Sequence, residues 1–146
     1  MTVALAGGKQ HFYPNDNKNG RLKDDFVEDW QNDENVAFVE TQTDLMKYMK
    51  GTVLSSKKSS EYKISGGMKE DTLIGLFAEG HLEYDIERLE RAPHQPTLEE
   101  MTEVAIKKLS QNPNGYYLFV EAGKIGKFTA LFQKVIIMVR HLRHFS

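Results

Sequence analysis

The 146-residue sequence contains no cysteine, which removes disulfides and thiolate metal sites from consideration. No apolar run approaches the roughly 18 residues that mark a membrane span. The opening residues, MTVALAGGKQ, lack the basic flank and long apolar stretch of a signal peptide. Taken alone, the chain is expected to stay in the cytosol. A basic excess is missing too: the net charge is −2, so no nucleic-acid partner is expected, since such domains are strongly basic. The last absence is local. All 21 acidic residues lie before position 126, while residues 126–146 carry Lys127, Lys134, Arg140 and Arg143. Such asymmetry marks a basic tail or a segment of different origin.

What is present is ordinary for a globular protein: 40% hydrophobic and 27% charged residues. A chain of this length has a real core, burying about 70% of its unfolded surface if it folds alone. TVALAGG (2–8) predicts a short buried strand running into a glycine turn. Turn residues crowd 11–25, and DDFVEDWQN (24–32) follows as a short helix with acids at its start. NVAFVE (35–40) predicts a strand, and Thr43 a cap for a helix over 44–50. Residues 51–70, rich in Ser, Lys and Gly, read as an exposed loop or insertion, where solvation explains the serines better than phosphorylation. DTLIGLFA (71–78) is a second buried strand, and 79–94 is open between extended chain and irregular helix.

Thr97 followed by Glu100 is a capping box. Leu98, Met101, Ala105 and Leu109 then recur on one helical face, and Asn112-Pro113-Asn114-Gly115 stops the helix. YYLFV (116–120) is a near-continuous apolar strand. Strand, crossover helix, strand builds a parallel sheet covered on both faces, so the predicted fold class is α/β.

Ligands collect at the carboxyl ends of parallel strands. Glu121 ends the 116–120 strand, followed by Ala122 and Gly123, and a carboxylate there is placed to hold a metal or a proton. A surface acid ending a strand is the plainer reading of the spacing alone. ALAGGKQ fails as a phosphate loop: Val3 stands where the first glycine belongs, and Gln10 follows Lys9 where Ser or Thr is needed. Glu99 and Glu100 are explained by capping. His141 and His144 have a spacing that shares a metal on a helix, but no third ligand lies nearby.

GYYLFVEAGKI (115–125) closely resembles the alkaline phosphatase motif in which Leu-Phe-Val-Glu-Gly-Gly-Arg-Ile precedes Asp-His-Gly-His-His. LAGGKQHFYP, FVETQTDLMKYM, LIGLFAEGHLEYDIER and PTLEEMTEVAIKKLSQNPNGYYLFVE resemble animal, particularly insect, members in the same order, so the resemblance covers about 2–50 and 71–125. It implies a three-layer α/β/α sandwich with a mostly parallel sheet. It also implies hydrolysis of phosphate monoesters through a phosphoserine intermediate, with two zinc ions and one magnesium. Full-length relatives of this kind are homodimeric and anchored on the extracellular side of the plasma membrane. The resemblance maps Glu121 onto the magnesium-binding glutamate. Magnesium prefers a few hard oxygen ligands and retains water, which suits a carboxylate on a rigid strand end.

The departures bear on activity. Gly126 and Ala130 stand where the family has zinc-binding aspartate and histidine, while Ala122 and Lys124 are milder changes. The Asp-Ser-Ala nucleophile motif is absent: the serines are Ser55, Ser56, Ser59, Ser60, Ser65, Ser110 and Ser146. Ala78 and Gln95 replace acids expected at the accessory calcium site of vertebrate members. Phosphate-monoester hydrolysis needs up to ~10²¹-fold acceleration, and a positioned acid or base supplies only about 10²–10⁴-fold. These residues alone are therefore expected to be inactive.

The expected organisation is a partial alkaline phosphatase domain over 1–125, an internal segment of the family's chain, and an atypical basic-apolar tail over 126–146. In one reading of that tail, Phe128, Leu131, Phe132, Val135, Val139 and Leu142 form one helical face. The chain is then a non-catalytic protein whose basic amphipathic segment binds membranes or a partner. In the other, favoured reading, the segment is translated non-coding sequence or a frameshift. Gly126-Lys127-Phe128 is what GGT-AAG-TTT encodes, a string resembling a splice-donor site.

Overall fold

A computed structural model describes residues 1–14, 24–51 and 70–122, and the backbone of 135–141. The loop expected over 51–70 therefore lies almost wholly outside the described residues. The chain divides into two compact units, residues 2–96 and residues 97–146 with Met1.

The first unit is built on three parallel strands, β1 (Thr2–Ala6), β2 (Val36–Val39) and β3 (Thr72–Leu76), in the order β1-β3-β2. The central β3 is buried from Leu73 to Leu76, as expected for a strand with two neighbours and both faces covered. At the edge, β1 alternates between exposed and half-buried residues. The sequence reading of a buried strand there was too strong: an edge strand turns only every second residue inward.

Between these strands run α1 (Phe26–Asn32) and α2 (Gln42–Met49). Asp25 caps α1, accepting from the Glu28 N–H at 2.9 Å. Thr41, rather than Thr43, caps α2, with its hydroxyl accepting from the Asp44 N–H at 3.1 Å. The helix thus begins two residues earlier than its apolar periodicity indicated. Val27 on α1 packs with Ile74 and Leu76, flanked by Phe12, Tyr13, Trp30, Val36 and Phe38. Trp30 lies tilted against Phe12 at 5.2 Å and Phe38 at 6.4 Å between ring centroids.

The open stretch after β3 contains a regular helix, α3 (Asp85–Arg91). Its apolar residues face outward: Ile86 is 84% and Leu89 71% exposed. Its sheltered side chain is Arg88, only 12% exposed.

In the second unit, α4 (Leu98–Leu109) packs on β4 (Tyr116–Ala122), which pairs with β5 (Val135–His141). The predicted capping box is formed in both directions: Glu100 N–H to Thr97 Oγ1 at 3.0 Å and Thr97 N–H to Glu100 Oε2 at 2.8 Å. Met101, Ala105 and Leu109 are buried as expected. Leu98, in the first turn, is half exposed, and Val104 is fully buried. A turn with Gly115 at φ 82° leads into β4, where only a glycine avoids strain.

β4 departs from the expected parallel sheet. It pairs antiparallel with β5 in a separate two-stranded sheet. The helical face read across the tail is likewise not formed over 135–141, which are extended. Val135, Ile136, Ile137 and Val139 are β-branched, and such residues fit a pleated strand better than a helix. His141 ends β5 opposite Tyr116, so it is not on a helix, and His144 lies outside the described residues.

Candidate functional site

The carboxyl ends of the three parallel strands share one edge, since Ala6 aligns with Leu76 and Val39 with Gly75. Each strand delivers a charged residue to that edge: Lys9 after β1, Glu40 after β2 and Glu79 after β3. The chain leaving β1 turns through Gly8 at φ 83°, and a side chain at Gly7 would collide with the Gly80 carbonyl. Backbone bonds then pin the turn, from Gly8 N–H to Gly80 O at 2.6 Å, Lys9 N–H to Ala78 O at 3.0 Å and Gln10 N–H to Glu79 O at 3.1 Å.

So held, Lys9 Nζ donates to Glu40 Oε1 at 2.5 Å and lies 3.7 Å from Glu79. The Tyr13 ring faces the same ammonium, 5.5 Å from its centroid. Burial alone lowers the affinity of the ammonium for its proton. Glu40 and Tyr13 outweigh that and hold the Lys9 pKa well above its usual 10.5. A permanently charged lysine already matched by two carboxylates ties strand ends together and offers no net positive charge to a phosphate. The rejection of ALAGGKQ as a phosphate loop agrees with this geometry. The triad was not anticipated from sequence, although Glu40 ends a predicted strand and Lys9 and Glu79 each directly follow one.

The segment leaving that edge is closed on itself. Gln95, 6% exposed, accepts the Glu83 N–H on Oε1 at 2.8 Å. Its carbonyl accepts from Arg88 Nη1 at 3.0 Å. The neighbouring His94 carbonyl accepts the Gln42 N–H at 2.7 Å, at the start of α2.

Glu121 occupies the second unit, one residue before the end of β4 and opposite Ile136. Leu118 and Val120 point inward, while Tyr117, Phe119 and Glu121 share the exposed face. The carboxylate is accessible at a strand end, but that strand belongs to the antiparallel pair. Among the described residues, no group of three or more His, Asp or Glu is arranged to hold a metal. Gly126 and Ala130 lie outside the described residues. One carboxylate supplies only part of a magnesium shell.

Parallel strands joined by helices define an α/β chain. The family described as alkaline phosphatase matches residues 1–130. The chain is 37% identical over 130 residues to a membrane-bound alkaline phosphatase of Bombyx mori, covering 84% of this chain and 21% of that protein. It is 34% identical over 125 residues to an alkaline phosphatase of Gadus morhua, covering 86% of this chain and 25% of that protein. A tissue-nonspecific alkaline phosphatase isozyme of Felis catus matches at 47% over 55 residues, 38% of this chain and 10% of that protein. The chain belongs to the alkaline phosphatase family. It spans about a fifth to a quarter of the length of the curated relatives it matches over most of its sequence.

Proposed function

We propose that this chain is one segment of a metal-dependent phosphomonoesterase and contributes Glu121 as a magnesium ligand. The carrying observation is the exposed Glu121, one residue before the end of β4, in a chain matched to the family over residues 1–130. In the whole enzyme, a bound magnesium would supply positive charge near the phosphate. The part of this chain is to hold a carboxylate oxygen at a fixed strand end, with Leu118 and Val120 anchoring the strand beneath it. The serine nucleophile and the zinc ligands lie outside these residues, so the segment is inactive alone. Zinc and magnesium, phosphate monoesters as substrates, a homodimeric assembly and an extracellular membrane anchor are all proposed for the whole protein. The name of the Bombyx mori relative supports the membrane association. A tail helix that binds membranes gains no support from the extended backbone of 135–141.

Grafting residues 2–122 in place of the matching stretch of the Bombyx mori enzyme tests the role of Glu121. The chimera should hydrolyse a chromogenic phosphate ester. Glu121→Gln should lower its magnesium affinity by about tenfold or more, on the scale seen even for outer-shell metal partners. Unchanged magnesium affinity in that variant would refute the assignment.

A further inference from the structure

The loop after β3 raises a question independent of catalysis, because the resemblance implies calcium there in vertebrate members. Calcium takes six to eight oxygen ligands, with carboxylates prominent among them. The groups here are otherwise engaged. Ala78 offers only its carbonyl, which accepts the Lys9 N–H at 3.0 Å. Gln95 Oε1 holds the Glu83 N–H at 2.8 Å, and the Glu83 carboxylate turns back to the Tyr84 N–H at 3.0 Å. Glu79 leans toward Lys9. These oxygens do not form a calcium shell.

A protein cation is built into the same loop. The Arg88 side chain is 12% exposed, donates to the Gln95 carbonyl at 3.0 Å and pairs with Asp85 at 3.2 Å. α3 leaves Ile86 and Leu89 in solvent while turning this arginine inward, the reverse of the usual helix preference. Apolar burial therefore does not orient α3; Arg88 does. A divalent ion coordinated by Gln95 would also share that residue with a guanidinium, and like charges repel.

We infer that Arg88 closes the 83–95 loop as a resident cation, and that this loop binds no calcium. It ties α3 to the Gln95 carbonyl, while Gln95 Oε1 joins that end of the loop to the Glu83 N–H. The His94–Gln42 bond then fastens the closed loop to the start of α2.

Thermal unfolding and amide exchange of the 146-residue chain, in millimolar calcium chloride and in excess chelator, test this without any activity readout. The melting temperature and the protection of the Glu83 and Gln95 amides should be the same in both conditions. Arg88→Met should speed exchange at those amides by about tenfold, the scale of one charged hydrogen bond, and calcium should not restore protection. Calcium-dependent protection or stabilisation of the unsubstituted chain would overturn the inference, as would unchanged protection in Arg88→Met. The unsubstituted chain still decides the calcium question if Arg88→Met does not fold.

Discussion

At the residue scale, Lys9 illustrates how position sets the role of a charge. On the surface, a lysine–carboxylate pair contributes about 0–1 kcal/mol. Lys9 is better placed, with only 17% of its side chain exposed and three separate strand ends supplying its surroundings. Lys9→Met should cost about 1–2 kcal/mol in chemical denaturation, because Glu40 and Glu79 lose their shared partner. The pH dependence follows from the direction of the shift. The folded pKa lies above the usual 10.5, so the folded state binds the proton more tightly than the unfolded chain. The stability advantage over Lys9→Met should be constant through neutral pH and shrink as pH rises past about 10.4, the unfolded value. An advantage that instead shrank on acidification toward neutrality would contradict this account.

At the scale of elements, local signals were legible and distant partners were not. α4 was readable because its start, Thr97 to Glu100, and its stop at Asn112 to Gly115 are written in adjacent residues. Thr97→Ala should therefore destabilise the chain by about 1 kcal/mol, measured by urea denaturation, with Thr97→Ser close to unchanged. β3 was legible from its continuous apolar run, and α1 from its acidic start. α3 was not, because its inward residue is an arginine and its apolar residues are exposed, which erases the periodicity a sequence reader relies on. The apolar run of β4 predicted a strand but could not name its neighbour. The pattern within a strand does not say which strand pairs with it, and here β5, the next element, does so in antiparallel register. The Lys9, Glu40 and Glu79 grouping was hidden because its members follow three strands far apart in sequence.

At the scale of the whole molecule, family membership and catalytic competence are separate questions. The order of strands and helices indicated the α/β class and resemblance in several blocks identified the family, and the match over residues 1–130 supports both. Glu121 was singled out through that resemblance, since spacing alone favoured a plain surface acid. Its exposed place near a strand end is compatible with coordination, although the supporting sheet differs from the parallel one expected. Chemistry of this difficulty needs several metal ligands and a nucleophile acting together. Among the described residues, no group of three or more His, Asp or Glu is arranged to hold a metal. The proposal assigns the segment a ligand, not a reaction. The most direct measurement is turnover of a chromogenic phosphate ester by the purified 146-residue chain supplied with zinc and magnesium. No hydrolysis above the metal-only control is predicted; chelator-sensitive turnover that copurifies with the chain would contradict the account.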